Sequence, residues 1–231
     1  MSNKDDIEKP HYYGHRARLR ERFLRGGSDA LQDYEMLEML LSLALPRRDV
    51  KPLAKTLLDK FGSFAEVISA PIERLGEVKG LGDTSIAALK IAQASAQRLA
   101  REDIMDKQVL SNWKALLDYC RSVMAYERHE QFRVLFLNQK NVLIADELQQ
   151  KGTVNHTPVY PREVIKRALE LEASAIILTH NHPSGDPTPS KDDIAMTKEI
   201  IDIGLRLGVT VHDHLVIGKA GYASFKSLGI I

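Results

Sequence analysis

One cysteine, one tryptophan, aromatics at 6% and a net charge of +1 are the scarcities of this 231-residue chain. Each removes a class of protein. The lone Cys120 excludes an internal disulfide and any cysteine-rich zinc site, and it fits a reducing compartment. No apolar run approaches the roughly 18 to 20 residues of a membrane span. Met1 to Pro10 mixes acidic and basic residues, unlike a signal peptide, so a soluble cytoplasmic protein with no membrane contact is expected. Lys and Arg total 32 against 31 Asp and Glu, and the balance holds in both halves. Any nucleic-acid contact must therefore come from local placement of charge. The one dense cluster, Arg16, Arg18, Arg20, Arg22 and Arg25 interrupted by Glu21, reads at least as well as a solvated helix face.

What is present is a set of metal-binding residue types at usable spacing. His180 and His182 flank Asn181, and Ser190 and Asp193 follow, giving His-x-His-x7-Ser-x2-Asp after the apolar stretch Ala175 to Thr179. If that stretch is a strand continuing through the histidines, residues i and i+2 point to one face and both imidazoles reach one ion. Ser190 is placed as a helix N-cap, which puts Asp193 in the first turn and closes the loop on the histidines. Ser190-x-x-Asp193 also resembles a capping box, although that motif prefers Glu or Gln at the last position, so Asp193 reads as cap or as ligand. Two His and one carboxylate suit catalytic Zn²⁺, whose fourth position takes a water with a pKa near 7.

An activated water needs a proton acceptor that is not itself a ligand. Glu130, where a helix meets the apolar strand Phe132 to Leu137, is the candidate, and Glu147 on the next strand is the competitor; spacing alone does not choose. A metallo-β-lactamase pattern, His-x-His-x-Asp-His, fails because Ser184 and Gly185 stand in the last two places. His212-Asp213-His214 has no downstream carboxylate at ligand spacing and reads as a strand passing the site, with Asp213 or His214 in a supporting role. His156 reads as a surface strand residue, and Cys120 as helix core.

The organisation changes along the chain. The first half reads as helices: Tyr34 to Leu45 after an Asp33 cap, Val50 to Phe61, Phe64 to Ser69, and a pair joined by Lys79-Gly80-Leu81-Gly82 whose second member runs from about Thr84 to Leu99. This pair resembles a helix-hairpin-helix. There, Gly80 and Gly82 would let the backbone approach a phosphate beside Lys79, with Leu81 buried; a plain scaffold turn is the other reading. A helix from Ser111 to Tyr126 leads into the second half. Strands follow at Phe132 to Leu137, Val142 to Leu148 and Thr153 to Val159. A helix from Pro161 to Leu171, the histidine strand, a helix from Lys191 to Leu207 and strands around Val211 and Tyr222 complete an α/β layer architecture. Two domains are expected, 1–106 and 107–231.

Pro161-Arg-Glu-Val, His180-Asn-His-Pro-Ser-Gly185, Pro189-Ser-x-x-Asp193 and Asp213-His214 resemble the RadC family of the JAB/MPN metalloprotease superfamily. The likeness covers nearly the whole chain, including Arg18-Leu-Arg-Glu-Arg-Phe-Leu-Arg in a helix-hairpin-helix region. It implies an all-α domain followed by a JAB/MPN-type mixed sheet flanked by helices. It further implies zinc on His180, His182 and Asp193, the JAMM ligand set, with Ser190 supporting the oxyanion and Glu130 as general base. The likeness thus selects Glu130 over Glu147. The implied activity is hydrolysis of a peptide or isopeptide bond in a protein substrate, with DNA as a partner of the helical domain. Asn181 departs from the deubiquitinating members, which carry Ser or Thr there. Two other readings stand beside this one: a binding module with a structural metal, and a repair-linked metallonuclease, for which Asp186 and Asp192 are the spare acids.

Overall fold

The computed structural model describes residues 14–151 and 159–231. The chain divides into two compact units, one ending at Ala94 and the other spanning Ser95–Ile231. The first unit is helical: α1 (His15–Gly26), α2 (Asp33–Ala44), α3 (Lys51–Phe61), α4 (Phe64–Ser69), α5 (Ile72–Gly76) and most of α6 (Asp83–Glu102). Its core gathers Leu37 and Leu41 of α2, Leu53 and Leu57 of α3, Val67, Leu75 and Leu89, all buried. Helix starts follow local chemistry. Ser63 and Glu66 form a reciprocal capping box on α4. On α2 the cap is Gln32, paired with Glu35, and not Asp33. The Asp33 carboxylate instead accepts the Phe64 amide at 2.8 Å, tying the start of α4 to α2.

The hairpin is present between α5 and α6. Gly80 takes φ +94°, where a side chain would be strained, and Leu81 is buried as expected. A Cβ on Gly80 would also lie 2.4 Å from the Arg48 guanidinium, whose Nη1 donates to the Gly80 carbonyl at 2.9 Å. Lys79 and Gly82 are exposed.

The second unit holds the end of α6, α7 (Trp113–Met124), β1 (Gln131–Leu137), β2 (Leu143–Lys151), α8 (Pro161–Glu170), β3 (Ala175–Asn181), α9 (Lys191–Arg206), β4 (Thr210–Ile217) and β5 (Tyr222–Ser224). The sheet order is β2-β1-β3-β4-β5. All neighbours are antiparallel except β3 and β4, which run parallel through the α9 crossover. Strand alternation sends Leu135, Leu137, Ile177, Leu215 and Ile177's neighbour Ala175 toward α7, with Leu116, Cys120 and Met124. Phe132, Val134, Phe136, Ile176 and Leu178 face α8 and α9 instead. The strand expected over Thr153 to Val159 falls, with His156, outside the described residues except for Val159, which is not in a strand. Among the described residues, no helix is long and apolar enough to cross a membrane.

Candidate metal centre

His180 shares the parity of Ile176 and Leu178, so its ring points to the α9 face, where it is 1% exposed. The His182 amide donates to the Ile217 carbonyl at 3.0 Å, which carries the strand direction one residue past Asn181 and keeps His182 on the same face. The chain then turns at Pro183-Ser184-Gly185, with Gly185 at φ +92°. It returns to α9, whose cap is Ser190. The Asp193 amide bonds to Ser190 Oγ at 3.1 Å, and Asp193 Oδ2 accepts the Ser190 amide at 2.7 Å. Asp193 therefore caps the helix through Oδ2, which also faces His182, and turns Oδ1 toward His180. The cap sets the carboxylate's direction, so capping does not take Asp193 away from the histidines.

Three donors converge. His180 Nε2 and His182 Nε2 lie 3.0 Å apart, His180 Nε2 and Asp193 Oδ1 3.4 Å, and His182 Nε2 and Asp193 Oδ2 3.6 Å. Corners of a tetrahedron around an ion with bonds of roughly 2.0–2.1 Å are separated by about 3.3 Å, so the spacing fits zinc. Among the described residues this is the one cluster of His, Cys, Asp and Glu with that convergence.

Hydrogen-bond partners fix where the ring protons sit. Thr197 Oγ1 and the Asp193 carbonyl oxygen are 2.6 Å apart, which requires the hydroxyl hydrogen between them. Thr197 Oγ1 must then accept from His214 Nδ1, also 2.6 Å away. His214 is fully buried, and burial holds its pKa well below the usual value, so it is neutral with a bare Nε2. That nitrogen accepts from His180 Nδ1 at 2.8 Å, which leaves the lone pair of His180 Nε2 facing the centre. On the other side His182 Nδ1 bonds to the Asp186 carbonyl at 2.9 Å and must donate, so in the neutral ring, the form that binds a metal, its Nε2 is bare as well. Two nitrogen lone pairs face each other at the separation of a hydrogen bond with no hydrogen assigned to either. A cation resolves that opposition.

Burial alone would raise the Asp193 pKa, but the close approach of the His180 and His182 rings, the electrostatic influence of His180 and the Ser190 bond hold it well below the usual carboxylate range. The same carboxylate raises the pKa of His182, with Glu130 adding a smaller attraction. The site is thus electronegative and attracts positive charge.

Glu130 immediately precedes β1. The β1–β3 register pairs Phe132 with His180, and Glu130, two residues before Phe132, lies near enough to His182 for its charge to raise that ring's pKa. Asn181, whose parity opposes that of the histidines, fastens this arrangement from the α7 side. Its Oδ1 accepts the Gln131 amide at 2.8 Å, and its Nδ2 donates to the carbonyls of His129 and Glu127 at 3.2 and 3.3 Å. Glu147, the competitor, sits on edge strand β2, where Arg167 engages both its oxygens and lowers its pKa. The Ser190 hydroxyl lies 2.6 Å from Asp193 Oδ2. Asp186 turns its carboxylate to Thr188 and is spent in the loop.

The sequence left open whether Asp213 or His214 supports the site, and it did not mark Thr197. As strand neighbours the two face opposite sides, and a bulge at His212 decides which: Ile176 faces Val211, but Ile177 faces Asp213. The extra residue puts His214 on the metal face and Asp213 on the other. There Asp213 accepts from the His214 and Lys226 amides and the Ser224 hydroxyl, pinning the C-terminal segment. His212 pairs with Asn141.

With this geometry in hand, comparison with known proteins adds kinship. Residues 110–230 match the RadC-like JAB domain, and residues 13–87 match the UPF0758 N-terminal domain. A UPF0758 protein of Ruegeria pomeroyi is 61% identical over 217 residues, covering 94% of this chain and 97% of its own. A UPF0758 protein of Rhodobacter capsulatus is 62% identical over 213 residues, covering 92% and 100%.

Proposed function

This chain belongs to the RadC-like JAB domain family, and on that premise we propose that it is a zinc-dependent hydrolase of an amide or isopeptide bond in a protein or peptide. The convergence of two imidazole nitrogens and the Asp193 carboxylate, each nitrogen close to one of its oxygens, carries the reading. Zinc on His180, His182 and Asp193 would polarise the scissile carbonyl and bring the pKa of a water near 7.

The chain's own groups supply the rest. Glu130 takes a proton from the attacking water on its carboxylate and returns it to the leaving amine. Asn181 holds the Glu130 segment against β3. Ser190, whose hydroxyl now meets Asp193, turns outward to donate to the developing oxyanion. His214 and Thr197 keep the proton off His180 Nε2. A two-metal nuclease would gather more carboxylates, and Asp186 is committed to Thr188. The proposal extends to the first unit, where exposed Lys79 and Gly82 of the hairpin offer a DNA backbone contact.

Metal analysis of the purified protein tests the centre: about one zinc per chain is expected, lost in His182→Ala. Equal zinc in both would overturn the site. Glu130→Gln is expected to keep its zinc and lose hydrolysis of substrates trapped with that same variant. For the hairpin, a mobility shift with duplex DNA should weaken as salt rises and weaken further in Lys79→Glu.

A further inference from the structure

A groove of about 860 Å³ lies in the helical unit, lined by the start of α1, the segment between α2 and α3, and Glu38. Its size falls within the roughly 300 to 1,000 Å³ of small-molecule sites. Five cations line it, Arg16, Arg18, Arg47, Arg48 and Lys51, against two carboxylates, Glu38 and Asp49, the latter bonded to the Lys51 amide. Two of the cations also hold the groove together. Arg16 donates to the carbonyls of Leu45, Pro46 and Arg48, and Arg48 donates to Gly80. These bonds leave both charges uncompensated, and among the described residues none of the five forms a salt bridge to a carboxylate.

Two helices also begin here. Among the described residues α1 has no side-chain cap and no acidic residue in its first turn, so its first amides add to the positive potential, whereas at α3 the Asp49 carboxylate accepts the Lys51 amide at 3.1 Å. The Arg18 guanidinium folds back over Gly14, lying 3.2 Å from where a Cβ there would sit, at the start of α1. Basic residues at a helix start are unfavourable unless an anion offsets them. The second feature is of opposite sign. Glu38 is 3% exposed, its Oε1 is 3.0 Å from His15 Nε2, and its Oε2 is buried with no hydrogen-bond partner among the described residues. A buried acceptor left open costs about 1–3 kcal/mol, which a donor on a bound molecule would offset.

We propose that this groove binds a nucleotide phosphate. Arg18, Arg47 and Lys51 take the phosphate with the first amides of α1, and Glu38 Oε2 accepts from a sugar hydroxyl or base amino group. A bare phosphate would leave Glu38 unsatisfied, and a purely cationic ligand would meet five like charges. The phosphate can belong to a free nucleotide or to the phosphorylated end of a nucleic-acid strand. The inference stands apart from the hydrolase reading and from the hairpin contact.

Titration calorimetry on the full chain, with ATP, inorganic pyrophosphate, and one single-stranded DNA carrying either a 5′-phosphate or a 5′-hydroxyl, tests it. ATP or the 5′-phosphorylated strand is expected to bind, more weakly as salt rises, and the 5′-hydroxyl strand less well than its phosphorylated form. Binding of ATP alone assigns a free nucleotide, and binding of the phosphorylated strand alone assigns a strand end. Arg18→Glu with Arg47→Glu should weaken binding by at least about tenfold, and Lys114→Glu, an exposed charge reversal on α7, should leave it unchanged. Glu38→Gln should weaken ATP while sparing pyrophosphate, which carries no hydroxyl or amino donor. Circular dichroism checks folding, and Arg47→Glu alone, in an exposed loop, serves if the double variant does not fold. No heat from either ATP or the phosphorylated strand, or wild-type affinity in the charge-reversed variant, overturns the proposal.

Discussion

Thr197 decides the protonation of a ring it does not touch. Its hydroxyl gives its hydrogen to the Asp193 carbonyl, so His214 must donate to it, and His180 must donate to His214. Thr197→Val keeps the shape but strands the buried His214 Nδ1–H. We expect a folded protein whose zinc affinity falls roughly 10- to 100-fold, measured by chelator competition. Unchanged affinity would show that the relay does not set the tautomer. This residue was illegible in the sequence, because a buried Thr in an amphipathic helix looks like any core filler. His180, His182 and Asp193 were legible because period-two alternation and a helix cap are local rules. A second residue-scale prediction concerns Glu35, which is buried at 6% exposure and held by Arg22 at 2.9 Å. The Arg22 bond lowers its pKa below 4.5 despite its burial. A carboxylate with a depressed folded pKa stabilises the protein above its unfolded value and loses that contribution as pH falls through the folded one. Glu35→Gln should therefore cost about 1 kcal/mol at neutral pH and progressively less as the medium is acidified below pH 4.5, read from denaturant melts across that range.

At the scale of elements, the metal loop depends on a close approach to the end of β4. A Cβ on Gly218 would stand 2.2 Å from the Gly185 carbonyl oxygen and 3.2 Å from Pro187. Neither neighbour is a flexible side-chain tip. Gly218→Ala should displace the loop, lowering stability by about 1–3 kcal/mol and loosening zinc, as a thermal melt with and without added metal would reveal. A melt identical to the parent would mean that the loop yields freely. The sequence indicated α9 and β3 from cap and apolar run, but nothing in it marked Gly218 as a contact. The bulge at the start of β4 was hidden for a similar reason: alternation in Val-Thr-Val-His-Asp-His is consistent with either face until β3 fixes the register. The start of α2 shows the reverse case, where two adjacent polar residues could each cap. Gln32 took the role because Glu35 reaches back to its amide at 3.1 Å, freeing Asp33 for α4.

For the whole molecule, two separate apolar cores mean that metal and helical unit need not melt together. The first core is built from α2 to α6, while the sheet carries its own on both faces. The single tryptophan, Trp113, packs on the α7 face of the sheet unit, so its fluorescence follows that unit alone. Far-UV circular dichroism sees the helices of both. A ligand that binds only the folded state stabilises by RT ln(1 + [L]/Kd), roughly 2.7 kcal/mol at a hundredfold excess over Kd. Removing zinc with a chelator should therefore lower the fluorescence midpoint clearly and shift the dichroism midpoint less, since the helical unit holds none of the three donors. Equal shifts by both probes would instead show one cooperative transition, with α6, the helix continuous through Ala94 and Ser95, transmitting the loss.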